Sequence, residues 1–310
     1  MPAEAIHLSA LDDSLSRADA AVRLASGFDD PELQALLRFG SVLIDFPYFD
    51  RFAVGVLRYM LKRPLATSPI GDELHQREPA RLGRLLVQRS AALRSERATR
   101  RDGDRLLAVA LGFLSHLAID SRLHPLVNRL AIVRAVRLGD RPARQHNEVE
   151  KFQSILFHEE RLGFDFMGSR RIVEYIAVDA RALTNDSLVA RAYRSAIAAI
   201  HGSVPDVSIM ARWVRGYAQY TQLLGSWFGG RVMPQSVKDE VRAEVYESHP
   251  ARFVDHYAEA VQRSSTYIAA GLALVESPSD EAAFHRAVPE GSIDDPPYAT
   301  DRDRGLVALG

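Results

Sequence analysis

Apolar residues recur every three or four positions along most of this chain, and that spacing predicts amphipathic helices. The connections between the apolar segments are short and carry Gly, Pro, Asp or Asn, which commonly end helices. The sequence has no convincing pair of alternating segments joined by a hairpin turn, so strands are not expected. The predicted fold class is therefore all-α. The predicted helices cover residues 14–26, 31–38, 50–62, 79–97, 103–120, 125–138, 144–162, 169–182, 187–201, 206–227, 235–247 and 251–276.

The composition along the chain predicts its domain organisation. Residues 1–287 are expected to form a single multi-helix domain, because no internal repeat and no break in composition divides them. Residues 288–310 are rich in Pro, Gly and Asp, and we expect them to form an extended or disordered tail.

One of the most apolar segments carries three polar side chains at four-residue steps. His116, Asp120 and His124 lie in the stretch GFLSHLAIDSRLHP, residues 112–125. Four residues turn a helix by about 400°, so His116 and Asp120 point to the same side. An unpaired polar group is costly in such surroundings, whereas imidazole and carboxylate together can bind a divalent metal. His124 precedes Pro125, so we expect His124 in a break after the helix, with the proline opening the next one.

A second pair of the same kind follows in the next predicted helix. His146 and Glu150 are again four residues apart. One such pair is explained well by a hydrogen bond on the helix surface. Two helices that each present a histidine and a carboxylate toward one core instead indicate a metal site of the kind found in helical bundles.

Three further residues are candidate ligands. His7 stands in the mostly apolar segment AIHLSAL, and Asp45 is the only charged residue in FGSVLIDFPYF. Asp45 either pairs with a partner such as a metal ion or caps the helix that follows it. His75 lies in the polar link GDELHQREP, where a histidine taken alone is usually an ordinary surface residue.

Composition limits the chemistry. The chain has 310 residues, a net charge of −1 and no cysteine, so metal ligands must be His, Asp or Glu. The near-neutral balance gives no reason to expect specific nucleic-acid binding. The first residues lack the basic and apolar regions of a secretory leader, and we find no apolar run long enough to span a bilayer. The expected location is therefore the cytoplasm.

Read together, these positions resemble the zinc-dependent phospholipase C family, which is related to the P1-type nucleases. The family pattern is an early His, a Gly…Asp turn, a His before a later helix, HxxxD, a further His and HxxxE. The resemblance covers residues 1 to about 160, and the D-x-x-x-H-P spacing looks like a variant branch rather than the secreted enzymes. The matching residues here are His7, Gly40 to Asp45, His75, His116-x-x-x-Asp120, His124-Pro125 and His146-x-x-x-Glu150.

The resemblance implies an all-helical fold with two or three zinc ions. By carry-over, one ion would be held by Asp45, His75, His116 and Asp120, and a second by His124, His146 and Glu150. His7 and Asp120 would hold a third, which makes Asp120 a bridge. The implied activity is hydrolysis of a phosphodiester bond by metal-activated water, with Asp45 orienting or deprotonating that water. The implied substrate is a phospholipid or a similar small phosphodiester.

Two other functions fit the same residues. Helical bundles that carry His and carboxylate ligands also host di-iron oxygenases, and iron or manganese could replace zinc. Five of the eight candidate ligands are histidines, however, and di-iron bundles use mainly glutamate. The third possibility is a non-catalytic helical binding protein with a structural metal site.

Overall fold

The computed structural model describes residues 3–61, 69–184, 187–227, 235–247 and 252–290. These residues form helices with short connections, and no strand occurs among them, so the all-α prediction is confirmed. The α-helices are α1 (Ala3–Ser16), α2 (Ala20–Ser26), α3 (Pro31–Gly40), α4 (Phe52–Met60), α5 (Pro69–Gln76), α6 (Pro79–Arg94), α7 (Arg100–Leu138), α8 (Pro142–Leu162), α9 (Arg170–Ile176), α10 (Leu188–His201), α11 (Val207–Gly225), α12 (Gln235–Val241), α13 (Phe253–Glu276) and α14 (Glu281–Ala287).

The long helix α7 is the centre of the fold. Helices α3, α6, α8 and α13 pack against it, and all of its residues from 106 to 120 are buried. Among the described residues, α7 is also the one helix long and apolar enough to cross a membrane. Of its most apolar 18-residue stretch, 89% is buried inside the protein, so the place of α7 in the core explains its apolar composition.

The predicted break between residues 120 and 125 is wrong, because α7 continues through Pro125. A proline inside a helix removes a backbone hydrogen bond and costs about 3 kcal/mol or more. Leu123 and Leu126 on either side of the proline are buried, and their packing helps to offset this cost. As a consequence His124 stays on the helix, one turn beyond Asp120.

The predicted helix over residues 14–26 is also wrong. The chain forms α1 and α2 there, and the Asp19 side chain caps α2 by accepting a hydrogen bond from the Val22 N–H at 2.8 Å. Helix α1 was not predicted because residues 4–11 are all buried, so no polar face reveals its period. His7 therefore lies on a helix inside the protein.

Two predicted helices are each divided in the structure, and the tail is only partly described. Residues 169–182 form α9 and the 3-10 helix Ala180–Leu183, and residues 235–247 form α12 and the π-helix Arg242–Tyr246. At the start of the predicted tail, Val288 is buried in the core, and residues 291–310 lie outside the described residues.

Two glycines let the backbones of α3 and α7 touch. A Cβ atom on Gly40 would lie 2.2 Å from the carbonyl oxygen of Val109, and one on Gly112 would lie 2.0 Å from the carbonyl oxygen of Leu37. Neither position therefore tolerates a side chain without movement of the backbone. This close approach brings the chain just after α3 to the candidate metal ligands of α7.

We expect Gly112→Ala to lower the free energy of unfolding by about 3 kcal/mol, because the new methyl group overlaps a backbone carbonyl. Gly55→Ala is the matched control, since Gly55 lies in α4 with no atom within 4 Å of an added Cβ. The control should be stabilised by about 0.5–1 kcal/mol, the preference for alanine in a helix. Urea unfolding of both variants measures the difference, and equal stabilities would contradict the close contact of α3 and α7.

Candidate metal centre

The eight ligands predicted from the sequence lie together inside the helical core. They come from α1, the 3-10 helix Leu43–Phe49, α5, α7 and α8. The nearest nitrogen and oxygen atoms of neighbouring members are separated by 2.8 to 3.8 Å, which links all eight side chains. We call this set the ligand cluster: His7, Asp45, His75, His116, Asp120, His124, His146 and Glu150.

The first group of the cluster contains Asp45, His75 and His116, whose ligand atoms lie within 4.8 Å of one another. The Nδ1 atom of His116 lies 2.8 Å from the carbonyl oxygen of Ser41, and the Nδ1 atom of His75 lies 2.8 Å from that of Gly71. A carbonyl oxygen only accepts hydrogen bonds, so each Nδ1 carries the proton. In the neutral ring each Nε2 then presents its lone pair to the cluster, as a metal ligand must.

The second group contains His124, His146 and Glu150. The Oε1 atom of Glu150 lies 3.1 Å from His146 Nε2 and 3.4 Å from His124 Nε2. In a tetrahedral zinc site with bonds of about 2.0–2.1 Å, neighbouring ligand atoms are about 3.3 Å apart. The spacing in this group therefore matches that of ligands around a single ion.

Asn128 orients a histidine of the second group and was not predicted. Its Oδ1 atom lies 2.9 Å from His146 Nδ1, so it accepts the proton of that ring and turns Nε2 toward Glu150. Asn128 continues the four-residue steps of His116, Asp120 and His124 along α7. The four-residue spacing therefore indicates Asn128 as a neighbour of these residues, but only if the helix continues through residues 120–125, where a break was predicted.

Asp120 is the member that joins the groups. Its Oδ2 atom lies 2.8 Å from His116 Nε2, while its Oδ1 atom lies 3.2 Å from His7 Nε2 and 3.4 Å from His124 Nε2. The two oxygens thus face different histidines. His7, His116 and Asp120 form the third group, in which the two imidazole rings are stacked with centroids 3.9 Å apart.

The carboxylates give the cluster a strongly negative potential. Burial alone would disfavour charge on His116, but the carboxylates of Asp120 and Asp45 outweigh it and raise the pKa of His116 to about 9. Burial would also raise the pKa of Asp120, yet the neighbouring His116, His124 and His7 hold that pKa well below its usual value. The cluster therefore favours positive charge, whether protons or metal ions supply it.

Two buried nitrogens show that protein groups alone leave the cluster incompletely satisfied. His116 Nε2 and His7 Nδ1 are buried and have no hydrogen-bond partner. His116 Nε2 lies close to Asp120, but the direction of approach does not suit a hydrogen bond. His116 Nε2 lies among carboxylate oxygens, where either a proton or a metal ion is stabilised, so the residues present are able to hold a metal ion.

One side of the ligand cluster is open. The His116 side chain is fully buried, whereas Glu150 is 16% exposed and His146 is 24% exposed. A cavity beside the cluster is lined by His7, Asp120, His124, Glu150, Gln153 and Phe253. The cavity has a volume of about 30 Å³, which is enough for water beside the second group, and Asp45, also 16% exposed, marks a second accessible edge.

A buried carboxylic acid beside the cluster was also missed. Glu4 is 5% exposed, and its Oε2 atom accepts a hydrogen bond from the Tyr220 hydroxyl at 2.5 Å. Burial, with a smaller contribution from the nearby charge of Asp45, raises the pKa of Glu4 to about 7. No sequence pattern indicates a role for Glu4, because α1 itself was not predicted.

His158 has a structural role, in agreement with its lack of partner spacing in the sequence. Its Nδ1 atom donates to the carbonyl oxygen of Ser154 at 2.7 Å, and its Nε2 atom lies 2.8 Å from the Ser9 hydroxyl. Burial lowers the pKa of His158 to about 4, so the ring is neutral at physiological pH. It is a core histidine with partners for both nitrogens.

Comparison of the chain with protein-family models, with curated proteins and with solved structures finds no match. The resemblance to the zinc-dependent phospholipases C therefore depends on the motifs and the ligand cluster alone. The all-helical fold and the metal-binding potential of the cluster are features of this structure.

We expect the protein, purified without a His-tag and supplied with zinc, to contain at least two metal ions per chain. His146→Ala should remove about one ion per chain, because it deletes one of three ligands of the second group. The matched control is His201→Ala, since His201 pairs with Glu73 at 3.0 Å and neither residue belongs to the cluster. Elemental analysis measures the content, and less than one ion per chain in the unmodified protein would contradict the assignment.

Proposed function

We propose that this protein is a metal-dependent hydrolase of phosphodiester bonds that resembles the zinc-dependent phospholipases C. The observation that carries the proposal is the position of Asp120, whose two oxygens face separate sets of histidines. A carboxylate shared between neighbouring ions is typical of hydrolases that act on phosphate esters. The substrate proposed is a phospholipid or a similar small phosphodiester.

The first and second groups of the ligand cluster would each hold one ion, most simply zinc, and His7 with Asp120 would hold a third. The Nδ1 atom of His116 faces the Ser41 carbonyl, so this ring has one nitrogen, Nε2, with which to bind one ion. The first group would be completed by Asp120, whose Oδ2 atom lies 3.9 Å from His75 Nε2. Bound ions supply Lewis acidity, which lowers the pKa of water and offsets negative charge on the phosphoryl oxygens. The donor set of imidazole and carboxylate, without thiolate, is compatible with zinc and also with iron or manganese.

Asp45 is proposed to orient the attacking water. Burial would raise its pKa, but the nearby His116 and the hydrogen bond from His75 lower it below its usual value. Asp45 is thus ionised at neutral pH and is a hydrogen-bond acceptor at a partly open edge. A carboxylate with a lowered pKa is a weak base, so orientation is a better assignment for Asp45 than complete removal of a proton.

The charge of the cluster makes metal a requirement for substrate binding. Three carboxylates, those of Asp45, Asp120 and Glu150, surround the site where an anionic phosphodiester would bind. They would repel that anion strongly in a buried, low-dielectric environment. Activity should therefore be lost entirely when the ions are removed, and substrate affinity should be lost with it.

The open edge distinguishes this proposal from a purely structural metal site. Structural sites are closed by four protein ligands, whereas catalytic sites keep a position open for water or substrate. The second group offers three ligands beside the cavity, which leaves room for a fourth that is not part of the protein. A di-iron oxygenase is less compatible, because five of the eight ligands are histidines.

The test is hydrolysis of bis-(p-nitrophenyl) phosphate with the metal content measured on the same samples. Asp120→Asn should lower kcat/KM at least about a thousandfold, because neighbouring cations lose their shared negative ligand. His7→Ala should cost less, since His7 belongs to the third group alone. Asp102→Asn on the same helix is the control, because this carboxylate is half exposed and pairs with Arg105.

Two outcomes would overturn the proposal. If Asp120→Asn keeps its metals and most of its turnover, the shared-carboxylate role of Asp120 is wrong. If the purified protein holds iron and has the absorption band of an oxo bridge, the oxygenase function replaces hydrolysis.

A further inference from the structure

Helix α4 presents apolar side chains to solvent. Val54 is 47% exposed, Leu57 is 56% exposed, and Leu61, directly after the helix, is 54% exposed. Their spacing of three and four residues places them along one side of the helix. The opposite side packs on α11, where the Phe52 ring lies 5.8 Å from that of Tyr220. Contiguous exposed apolar side chains of this kind mark an interaction surface.

Basic residues accompany this apolar side. Residues 51–61 contain two basic residues, Arg51 and Arg58, and no acidic residue, although the whole chain has a net charge of −1. Arg51 and Arg58 are exposed at the two ends of α4. An exposed apolar stripe with basic neighbours is complementary to the surface of an anionic phospholipid membrane.

The same segment connects α4 to the ligand cluster. Asp45 of the first group precedes Val54 by nine residues, so at most about 30 Å of extended chain separates them. Between them, Tyr48 is 42% exposed and its ring centroid lies 5.4 Å from that of the ligand His75. A surface that holds α4 is therefore within about 30 Å of the Asp45 edge of the cluster.

We propose that α4 docks the protein on an anionic phospholipid surface. Val54, Leu57 and Leu61 enter the boundary between head groups and acyl chains, and Arg51 and Arg58 contact the lipid phosphates. The proposal rests on the proposed function, because a hydrolase of phospholipid phosphodiesters must reach head groups in an assembled membrane. That membrane is thus the proposed partner of the site.

Charge argues against a second copy of this chain as the occupant. A two-fold dimer through α4 would place the same surface of both chains together. Arg51 and Arg58 of one chain would then face the same basic surface of the other, which is unfavourable. An anionic membrane instead offers opposite charge to every basic residue of the segment.

The experiment is co-sedimentation of the full chain with vesicles of phosphatidylcholine, alone or with about one quarter phosphatidylglycerol. The unmodified protein should bind the anionic vesicles at least tenfold more tightly than the neutral ones. Leu57→Ser should weaken binding to the anionic vesicles about tenfold, because the buried area of one leucine is lost. The matched control is Val136→Ser, since Val136 is 72% exposed near the end of α7 and should leave binding unchanged.

A second pair of variants tests the charges. Arg58→Gln should weaken binding to anionic vesicles several-fold, whereas Arg170→Gln should not, although the Arg170 side chain is 93% exposed. Failure of the unmodified protein to bind anionic vesicles would overturn the proposal. Equal loss in Leu57→Ser and Val136→Ser would also overturn it, as would a dimer of the unmodified protein that Leu57→Ser converts to a monomer.

Turnover of a soluble substrate separates this inference from the proposed function. Leu57→Ser should hydrolyse bis-(p-nitrophenyl) phosphate at the unmodified rate, because Leu57 is outside the ligand cluster. Metal-dependent hydrolysis without vesicle binding would overturn the docking surface alone. Vesicle binding that depends on Leu57, in a protein that hydrolyses no phosphodiester, would support the docking surface while the proposed function fails.

Discussion

The burial of Asp120 among imidazole rings is the constraint on which the rest of the structure depends. An isolated charge at 3% exposure would be several kilocalories per mole too costly, so its partners must converge on it. Helices α1 and α5 each bring one histidine to it, and the contact of α3 with α7 fixes His116 through the Ser41 carbonyl. The helices that pack here are therefore also the helices that stabilise the charge of Asp120.

Residue type and spacing predicted which side chains lie together in the cluster better than they predicted the helices that carry them. His146 and Glu150 were found because a half-exposed helix keeps its period visible. Sequence pattern does not reveal helix α1, because a helix buried on all sides has no polar face. The proline at position 125 predicts a break by local preference, but tertiary packing keeps α7 continuous there. The carbonyl of Ser41 lies 75 residues from His116 in sequence, and no local pattern records such a contact.

The two proposals use different parts of one continuous segment. The 3-10 helix Leu43–Phe49 places Asp45 in the ligand cluster, and α4 begins three residues after that helix ends. In the proposed function, the cluster would cleave the phosphodiester bond, and the exposed side of α4 would give access to an assembled substrate. Because α4 is outside the core around α7, its apolar side chains contribute little to stability and are free to serve an interface.

The most direct measurement is anomalous X-ray diffraction at the zinc absorption edge, on crystals grown with zinc. We predict one anomalous peak among Asp45, His75, His116 and Asp120, and a second among His124, His146 and Glu150. The carboxylate of Asp120 should lie against the first of these peaks. A cluster without any peak, in which Asp120 and Glu150 bond directly to protonated histidines, would contradict the metal centre and the function built on it.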